Sequence, residues 1–511
     1  MICRSPPGIS REGARDDRVF FRYAKGSVSM NDRCDPAEFG RIFRPRAIAV
    51  VGSARSQGDS QTVPHSFFFV MSLRNMHFEG PLYIVSRSGS PHPSLDEMVF
   101  PSLLDIPGPV DHAILCVPAA AVPGVLEQCA AKGVRSAAIF SSGFSESASA
   151  EGKRLEEAIR GIARRSSLRI IGPNCMGIYC PETGLNFRPD LPCAPGPVAM
   201  VSQSGGMAIR TIFQGVEKGL GFSKVVSYGN EVDVQSWELI DYLGWDEATR
   251  IILVYIEGTR DGRSLLRALK EAGRRKPVVV LKGGLSAEGT RAAMSHTGSL
   301  AGNEAVWQAM IRQARAHPVK DVNDLVDTAM TFCFLKRPAG KRIALMCISG
   351  GLVVNYTDLA VRSGFEVPAF DPSTQRGLEE IINEPGTSCS NPIDMASLFF
   401  NRRIYSPLFQ VLNDDTNTDL ILFIIAMEYV TALQMQYRVS LSGLVQAFLD
   451  IVSKVTKPFV AVIPPVVEEE SRLEVERAFL KAGIPTFITM EGAMNALRAR
   501  INDPREDPVR H

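Results

Sequence analysis

The segment Ser295-His296-Thr297-Gly298-Ser299 sets an imidazole among small polar residues, just beyond the apolar run from Pro277 to Gly284. Imidazole is a nucleophile that can accept a phosphoryl group and pass it on. A single histidine serves equally well as a capping or loop residue, so its neighbours decide. Glu257 ends the apolar run ILVYIE, and a carboxylate there is costly to bury without a partner. The strand expected beside it is PVVVLKGG, whose end leads toward His296. A glutamate accepting from one imidazole nitrogen would fix the tautomer and leave the other nitrogen to attack. The competing role for Glu257 is a surface ion pair with Arg260 or Lys282.

Two turns add possible anion sites. Ser202-Gln203-Ser204-Gly205-Gly206 ends one strand and opens a helix, and free amides at a helix start can cradle a phosphate. Its counterpart Ser349-Gly350-Gly351 is expected only to shape a turn. Gly52-Ser53-Ala54-Arg55-Ser56-Gln57-Gly58 follows the first strand, where small residues admit a pyrophosphate and Arg55 adds charge. The glycines do not form GxGxxG and no acidic residue ends the second strand, which argues against a nicotinamide dinucleotide site. Phosphate cradle, nucleophilic His296 and orienting Glu257 on one sheet edge are the parts of a phosphohistidine relay.

These residues need parallel strands to position them. Three blocks repeat an apolar strand, a glycine-rich turn and an amphipathic helix, the pattern of an α/β fold with parallel sheets covered by helices. The first carries AIAVVG, PLYIV, HAILCV, SAAIFS and RIIG; the second VAMVS, KVVSYG, IILVYIEG and PVVVLKGG. The expected division is residues 1–35 as a disordered or over-extended start, 36–190 and 196–335 as the first two domains, and 340–500 as a third. RPDLPCAPGP and KRPAGK read as linkers, and the tail NDPREDPVRH as loose. GPVAMVSQSGGMAI and GKRIALMCISGGLVV match by eye, so the second and third blocks read as an internal duplication.

Composition narrows the function. A net charge of +1 gives no electrostatic footprint for nucleic acid or an acidic membrane. Ten cysteines without CxxC fit neither a disulfide framework nor a zinc site, and Cys175 and Cys180 read as ordinary buried thiols. Apolar runs such as LILFIIAM are too short for a membrane span, and a cytoplasmic location is expected.

FRPRAIAVVGSA, IGPNCMGIYCPETGLNF, VAMVSQSGG, YIEGTRDGRS, KPVVVLKGG, SHTGSLAG and NPIDM, in this order, resemble the nucleoside-diphosphate-forming acyl-CoA synthetases, relatives of the succinyl-CoA synthetase α subunit. The resemblance spans roughly Phe39 to Arg498. It implies an N-terminal Rossmann-like CoA-binding domain followed by two flavodoxin-like ligase domains. It implies that His296 is transiently phosphorylated, that Glu257 holds it, and that Ser204, Gly205 and Gly206 bind the phosphate. Gly52, Ser53, Ala54, Arg55 and Gly58, with Pro118, Ser142 and Gly143, match positions lining CoA. Arg87 stands in the Val85-Ser86-Arg87-Ser88 stretch where relatives have a lysine, and can meet the CoA phosphates in its place. The acid pocket is expected around Asn174 to Phe187.

The resemblance includes no ATP-grasp domain, a unit of roughly 200 residues. It therefore implies an α-type subunit that needs a separate ATP-grasp β-type chain for ATP/ADP and Mg²⁺, in a hetero-oligomer. The expected reaction is carboxylic acid + CoA + ATP to acyl-CoA + ADP + phosphate. The alternative is a catalytically reduced CoA- or acyl-CoA-binding regulatory protein, against which His296 and Glu257 argue, since binding alone needs neither.

Overall fold

The computed structural model describes residues 39–52, 65–87, 98–297, 303–430, 440–467 and 469–505. The expected N-terminal extension, 1–35, lies outside them. Among the described residues the strands form three sheets.

The first holds β1 (Ile48–Gly52), β2 (Leu82–Val85), β3 (Met98–Phe100), β4 (His112–Cys116), β5 (Ser136–Ile139) and β6 (Arg169–Ile171). Their order is β3-β2-β1-β4-β5-β6, all parallel, which is the Rossmann arrangement. Every residue of β1 is buried, so the strand reads as a continuous apolar run rather than an alternation. β3 escaped the sequence reading because it is short and half exposed.

The second sheet holds β7 (Gly177–Tyr179), β8 (Pro195–Ser202), β9 (Phe222–Ser227), β10 (Ile251–Ile256), β11 (Val278–Lys282) and β12 (His317–Val319). Its order is β12-β11-β10-β8-β9-β7, with only β7 antiparallel among the described strands. β7 precedes Arg188–Pro197, so the chain crosses to the second sheet before that proline-rich stretch rather than at it. Composition marks where a chain is extended, not which sheet its flanks join.

The third sheet holds β13 (Ile343–Cys347), β14 (Ile393–Asp394), β15 (Leu420–Ile424), β16 (Phe459–Val462) and β17 (Thr486–Phe487), ordered β14-β13-β15-β16-β17 and parallel. Read from β9 to β12, the second sheet has the same order, 2-1-3-4-5, which is flavodoxin-like. The duplication extends to side chains. Lys276, before β11, donates to Leu243 O and Asp246 O at 2.7 and 2.5 Å. Lys457, before β16, donates to Leu412 O and Asp415 O at 2.9 and 2.7 Å. Each ammonium closes the carboxyl end of a helix, and burial lowers both below the usual lysine range.

The third unit packs on the second through helices Val322–Phe334 and Met490–Ile501. Lys218 adds a buried ion pair with Glu476 and a 3.1 Å bond to Thr486 O. The start of the tail is anchored, contrary to expectation. Arg505 donates to Gly273 O at 2.8 Å, to Lys276 O and to Asp503 Oδ2 at 2.7 Å, and Asp503 is buried. A polar tail looks loose in sequence because its partners are distant carbonyls. No helix among the described residues is long and apolar enough to cross a membrane.

Candidate active site where two sheet edges meet

Strand register brings the candidate residues to one edge. β10 lies between β8 and β11, with Tyr255 opposite Ser202 and Ile256 opposite Lys282. The carboxyl ends of these strands therefore present Gln203, Glu257 and Gly283 side by side. The helix Gly205–Glu217 starts here because Ser204 caps it, its hydroxyl accepting from Met207 N at 3.4 Å. Ala208, Thr211, Ile212 and Gly215 then form the buried stripe of that helix. Its first amides face the edge, as an anion site requires.

Glu257 is buried, which rules out the surface-pair role. Its Oε1 accepts from the Tyr255 hydroxyl at 2.9 Å. Burial, with the Glu257 charge beside it, pushes the Tyr255 phenol above its ordinary range. Lys282 meets the backbone of this residue, not its carboxylate: Nζ donates to Glu257 O at 2.7 Å and to Gly283 O. The Lys282 ammonium lies 5.0 Å from the Trp307 ring centre, and burial lowers its pKa to about 8. Arg260 turns away to the first unit, bonding Glu156 Oε1 at 2.8 Å.

That last contact belongs to a network joining the two units. Glu156 is buried on helix Ala150–Arg165 and accepts from Arg160, Arg260, Ser145 and Asn230. Burial alone would raise its carboxyl, but the bonds from Ser145, Arg260 and Asn230 hold it below the usual range. The loop Gly172–Met176 also ties the units together. Asn230 N donates to Pro173 O at 3.0 Å, and Val232 N to Gly172 O at 3.0 Å. A Cβ on Gly229 would lie 2.2 Å from Pro173 O and 2.4 Å from Asn174 O, so this approach requires glycine.

A cleft of about 550 Å³ opens between the two edges. From the first unit come His65, Cys116, Pro118, Phe140 and Ser142; from the connecting loop Asn174 and Met176; from the second Gln203, Ser204, Gly205 and Gly206. Pro118, Ser142, Asn174, Ser204, Gly205 and Gly206, singled out in sequence, are thus brought together. Gly143 adjoins Ser142 with φ 104°, and its N–H donates to Glu146 Oε1 at 2.6 Å. Gly52 packs behind the cleft: a Cβ there would lie 2.9 Å from Cys116 O, so close strand packing already requires this glycine. Arg87 is exposed at the end of β2 and does not line the cleft. Ser53, Ala54, Arg55 and Gly58 lie outside the described residues.

His296 stands near the end of helix Ala287–Thr297, where the sequence suggested a loop. Ser286 caps the helix, accepting from Gly289 N at 2.9 Å, and Thr290 Oγ1 donates to Gly284 O at 3.0 Å. This helix packs against the turn Ser145–Ser147, next to Ser142 and Gly143. The His296 side chain lies outside the described part of the molecule.

Sequence reasoning overlooked His65 and Phe140, named Gln203 only as part of its turn, and held Met176 only within the stretch expected to bind the acid. Gln203 Oε1 accepts from Glu257 N at 2.7 Å and Gly258 N at 3.1 Å. The His65 ring lies 5.0 Å from that of Phe140, pairing the start of helix His65–Asn75 with the end of β5. Gln203 was legible as part of the turn; the others meet only across the fold. Cys175 and Cys180 are buried, and burial pushes the Cys175 thiol up to about 12. No group of three or more His, Cys, Asp or Glu among the described residues converges on a metal position.

In the third unit Asp394 fills the corresponding place. A Cβ on Gly350 would lie 2.7 Å from Asp394 Oδ2, so a carboxylate already attends the start of helix Gly350–Arg362. The negative charge of Asp394 at this helix start disfavours a phosphate there.

Family models match this chain in two places: a CoA binding domain over residues 46–181 and a succinyl-CoA ligase like flavodoxin domain over residues 195–332. The ADP-forming acetate–CoA ligase I of Archaeoglobus fulgidus is 36% identical over 75% of this chain, but the chain spans only 54% of that protein's length. The ADP-forming acetate–CoA ligase I subunit alpha of Pyrococcus furiosus is 34% identical, with 70% of this chain matching 76% of the subunit. The solved structure of Ca. Korarchaeum cryptofilum acetyl-coenzyme A synthetase 1, in complex with phosphate and ADP, aligns at TM-score 0.77 and 27% identity. That alignment covers 91% of this chain and 97% of the solved one. The chain therefore belongs to the family of ADP-forming acyl-CoA synthetases, relatives of the succinyl-CoA synthetase α subunit.

Proposed function

We propose that this chain is the α-type component of an ADP-forming acyl-CoA synthetase, catalysing carboxylic acid + CoA + ATP ⇌ acyl-CoA + ADP + phosphate through phosphorylated His296. The observation that carries the reading is the cleft between two carboxyl edges. It sets Pro118 and Ser142, on the CoA side, opposite the Ser204–Gly206 helix start. Residues 36–190 serve as the CoA-binding unit, 196–335 as the phosphohistidine-bearing ligase unit and 340–500 as its ligase-like copy.

In the acyl-CoA-consuming direction, phosphate held by the Gly205 and Gly206 amides attacks the thioester carbonyl. The C–S bond breaks, CoA leaves as the thiol, and an acyl phosphate remains. An imidazole nitrogen of His296 then attacks phosphorus, the bridging P–O bond breaks, and the carboxylate departs with the bridging oxygen. Glu257 fixes the imidazole tautomer and stabilises the cation that forms. The phosphoryl group then passes to a nucleoside diphosphate. Helix Ala287–Thr297 meets the Ser145–Ser147 turn of the CoA-binding unit, which supports delivery of His296 to this cleft. The nucleotide and Mg²⁺ belong on a separate ATP-grasp chain, and the relatives' printed acid, acetate, is the first substrate to test. A cytoplasmic location suits these substrates. The relatives' ligase names favour this reading over a binding-only regulator.

Incubating the chain alone with acetyl-CoA and radiolabelled phosphate is expected to give an acid-labile, alkali-stable label on His296. Added ATP-grasp chain and ADP should move that label to ATP. Undiminished labelling or turnover in His296→Ala would overturn the relay.

A further inference from the structure

The relay makes no use of the third sheet, yet the third sheet carries the most apolar cavity of the molecule's described pockets. It measures about 110 Å³ and lies between the carboxyl half of β15 and the helices Arg402–Asp414, Leu441–Val452 and Glu469–Lys481. In the duplicated architecture β15 is the counterpart of β10, whose end carries Glu257. Open α/β sheets bind ligands at this edge.

The lining dictates what fits. Phe448 belongs to an aromatic wall, meeting Tyr405 edge-on at 5.2 Å and stacking on Phe423 at 5.3 Å and Phe479 at 5.6 Å. Ile425 and Met427, just past β15, close the strand side. The Tyr405 hydroxyl is already engaged, donating to Phe399 O, so the interior offers a ligand no free polar group from that residue. Among the described lining residues Arg402 alone is charged; it is exposed and forms no ion pair with any described residue. One guanidinium matches one carboxylate, whereas a phosphate dianion would remain half compensated. An apolar cavity of roughly 150 Å³ holds benzene and stays dry when empty, so this smaller one suits a tail of about four carbons.

We propose that the cavity is a second binding site, for a small apolar monocarboxylate whose tail packs against the wall that includes Phe448 and whose carboxylate pairs with Arg402. This site is separate from the cleft that holds CoA and phosphate, and it does not depend on the relay. Ile425 and Met427 place it at the strand edge equivalent to that of Glu257.

The test titrates the full chain, observed by NMR, with 3-methylbutanoate and with its neutral isostere 4-methyl-2-pentanone. Both should bind the unmodified chain saturably. Arg402→Gln should weaken the acid by about tenfold or more while leaving the ketone unchanged. Ala447→Leu, which fills the cavity from helix Leu441–Val452, should abolish binding of both while the melting temperature holds or rises. Absence of saturable binding to the unmodified chain up to tens of millimolar would overturn the proposal. So would variants that bind the acid as the unmodified chain does, since the acid would then sit elsewhere. Equal losses of acid and ketone in Arg402→Gln would also reject the carboxylate assignment.

Discussion

The carboxamide oxygen of Gln203 is shared by two backbone N–H groups of the neighbouring strand end, those of Glu257 at 2.7 Å and Gly258 at 3.1 Å. Gln203 is itself buried and lines the cleft, so it fixes where the Glu257 turn lies relative to the phosphate cradle. Gln203→Leu should leave two buried donors unsatisfied, costing about 1–3 kcal/mol. Gln203→Glu retains an acceptor but buries a second carboxylate near Glu257, so it should recover stability only as falling pH protonates it. Urea unfolding of both variants at neutral and mildly acidic pH checks this; a Gln203→Leu variant as stable as the unmodified chain would contradict it.

Glu257 and Tyr255 should separate in function. Glu257→Gln keeps the volume but loses the charge that would orient and stabilise an imidazolium, so His296 phosphorylation should slow by about 10²-fold or more. Tyr255→Phe removes one 2.9 Å bond to a carboxylate that persists, so the loss should be several-fold at most. Single-turnover labelling with radiolabelled phosphate measures both. A Tyr255→Phe defect as large as that of Glu257→Gln would reject this division of labour.

The two cradle glycines have different neighbours. A Cβ on Gly205 would lie 2.6 Å from Met176 Cγ, whereas one on Gly206 meets nothing nearer than Ser204 Oγ at 3.9 Å. Gly205→Ala should therefore destabilise the chain by about 1–3 kcal/mol, and adding Met176→Ala should relieve the clash. Gly206→Ala should leave stability nearly unchanged. A double-mutant cycle on melting temperature reads the coupling; additive effects would show that the contact does not govern Gly205.

The Glu156 network should govern CoA affinity through the orientation of the two units. Arg260→Ala strips one charged partner from a buried carboxylate, with an expected cost of about 1–3 kcal/mol. Because Arg260 does not bond the Glu257 side chain in this fold, the main kinetic effect should be a raised KM for CoA. A loss confined to kcat would place Arg260 in the chemistry instead.

Two buried histidines predict acid sensitivity. Burial lowers His112 to about 4, with its Nδ1 2.8 Å from Ser136 Oγ. Burial lowers His317 to about 4 as well, opposed by Asp503 and reinforced by Arg505 and Arg500. Both folded values lie below the unfolded value of about 6.5, so the unfolded chain binds these protons first. Stability should fall as pH drops from about 6.5 toward 4, by at most about 1.4 kcal/mol per pH unit for each histidine. His317→Asn should flatten the urea midpoint's pH dependence over that window, and an unchanged slope would refute the assignment.

Much of this architecture was legible in the chain itself. Continuous apolar runs such as those of β1, β8, β10 and β11 announce buried parallel strands, because only covered sheets can accept residues apolar on both faces. The SQSGG turn, the glutamate closing ILVYIE and the repeated strand–turn pattern of the last two blocks follow from local chemistry and spacing. Tertiary structure alone decided which edges meet. Gly229 against Asn174, Arg260 on Glu156 and Gln203 on Glu257 are contacts between distant segments, governed by strand order and close backbone approach, which leave no local signal. It also anchored Arg505 on remote carbonyls, set Asp394 at the start of the third unit's helix and placed Phe448 in the wall of an apolar cavity. Sequence thus determined which groups could do chemistry; packing of three sheets determined which of them share a space.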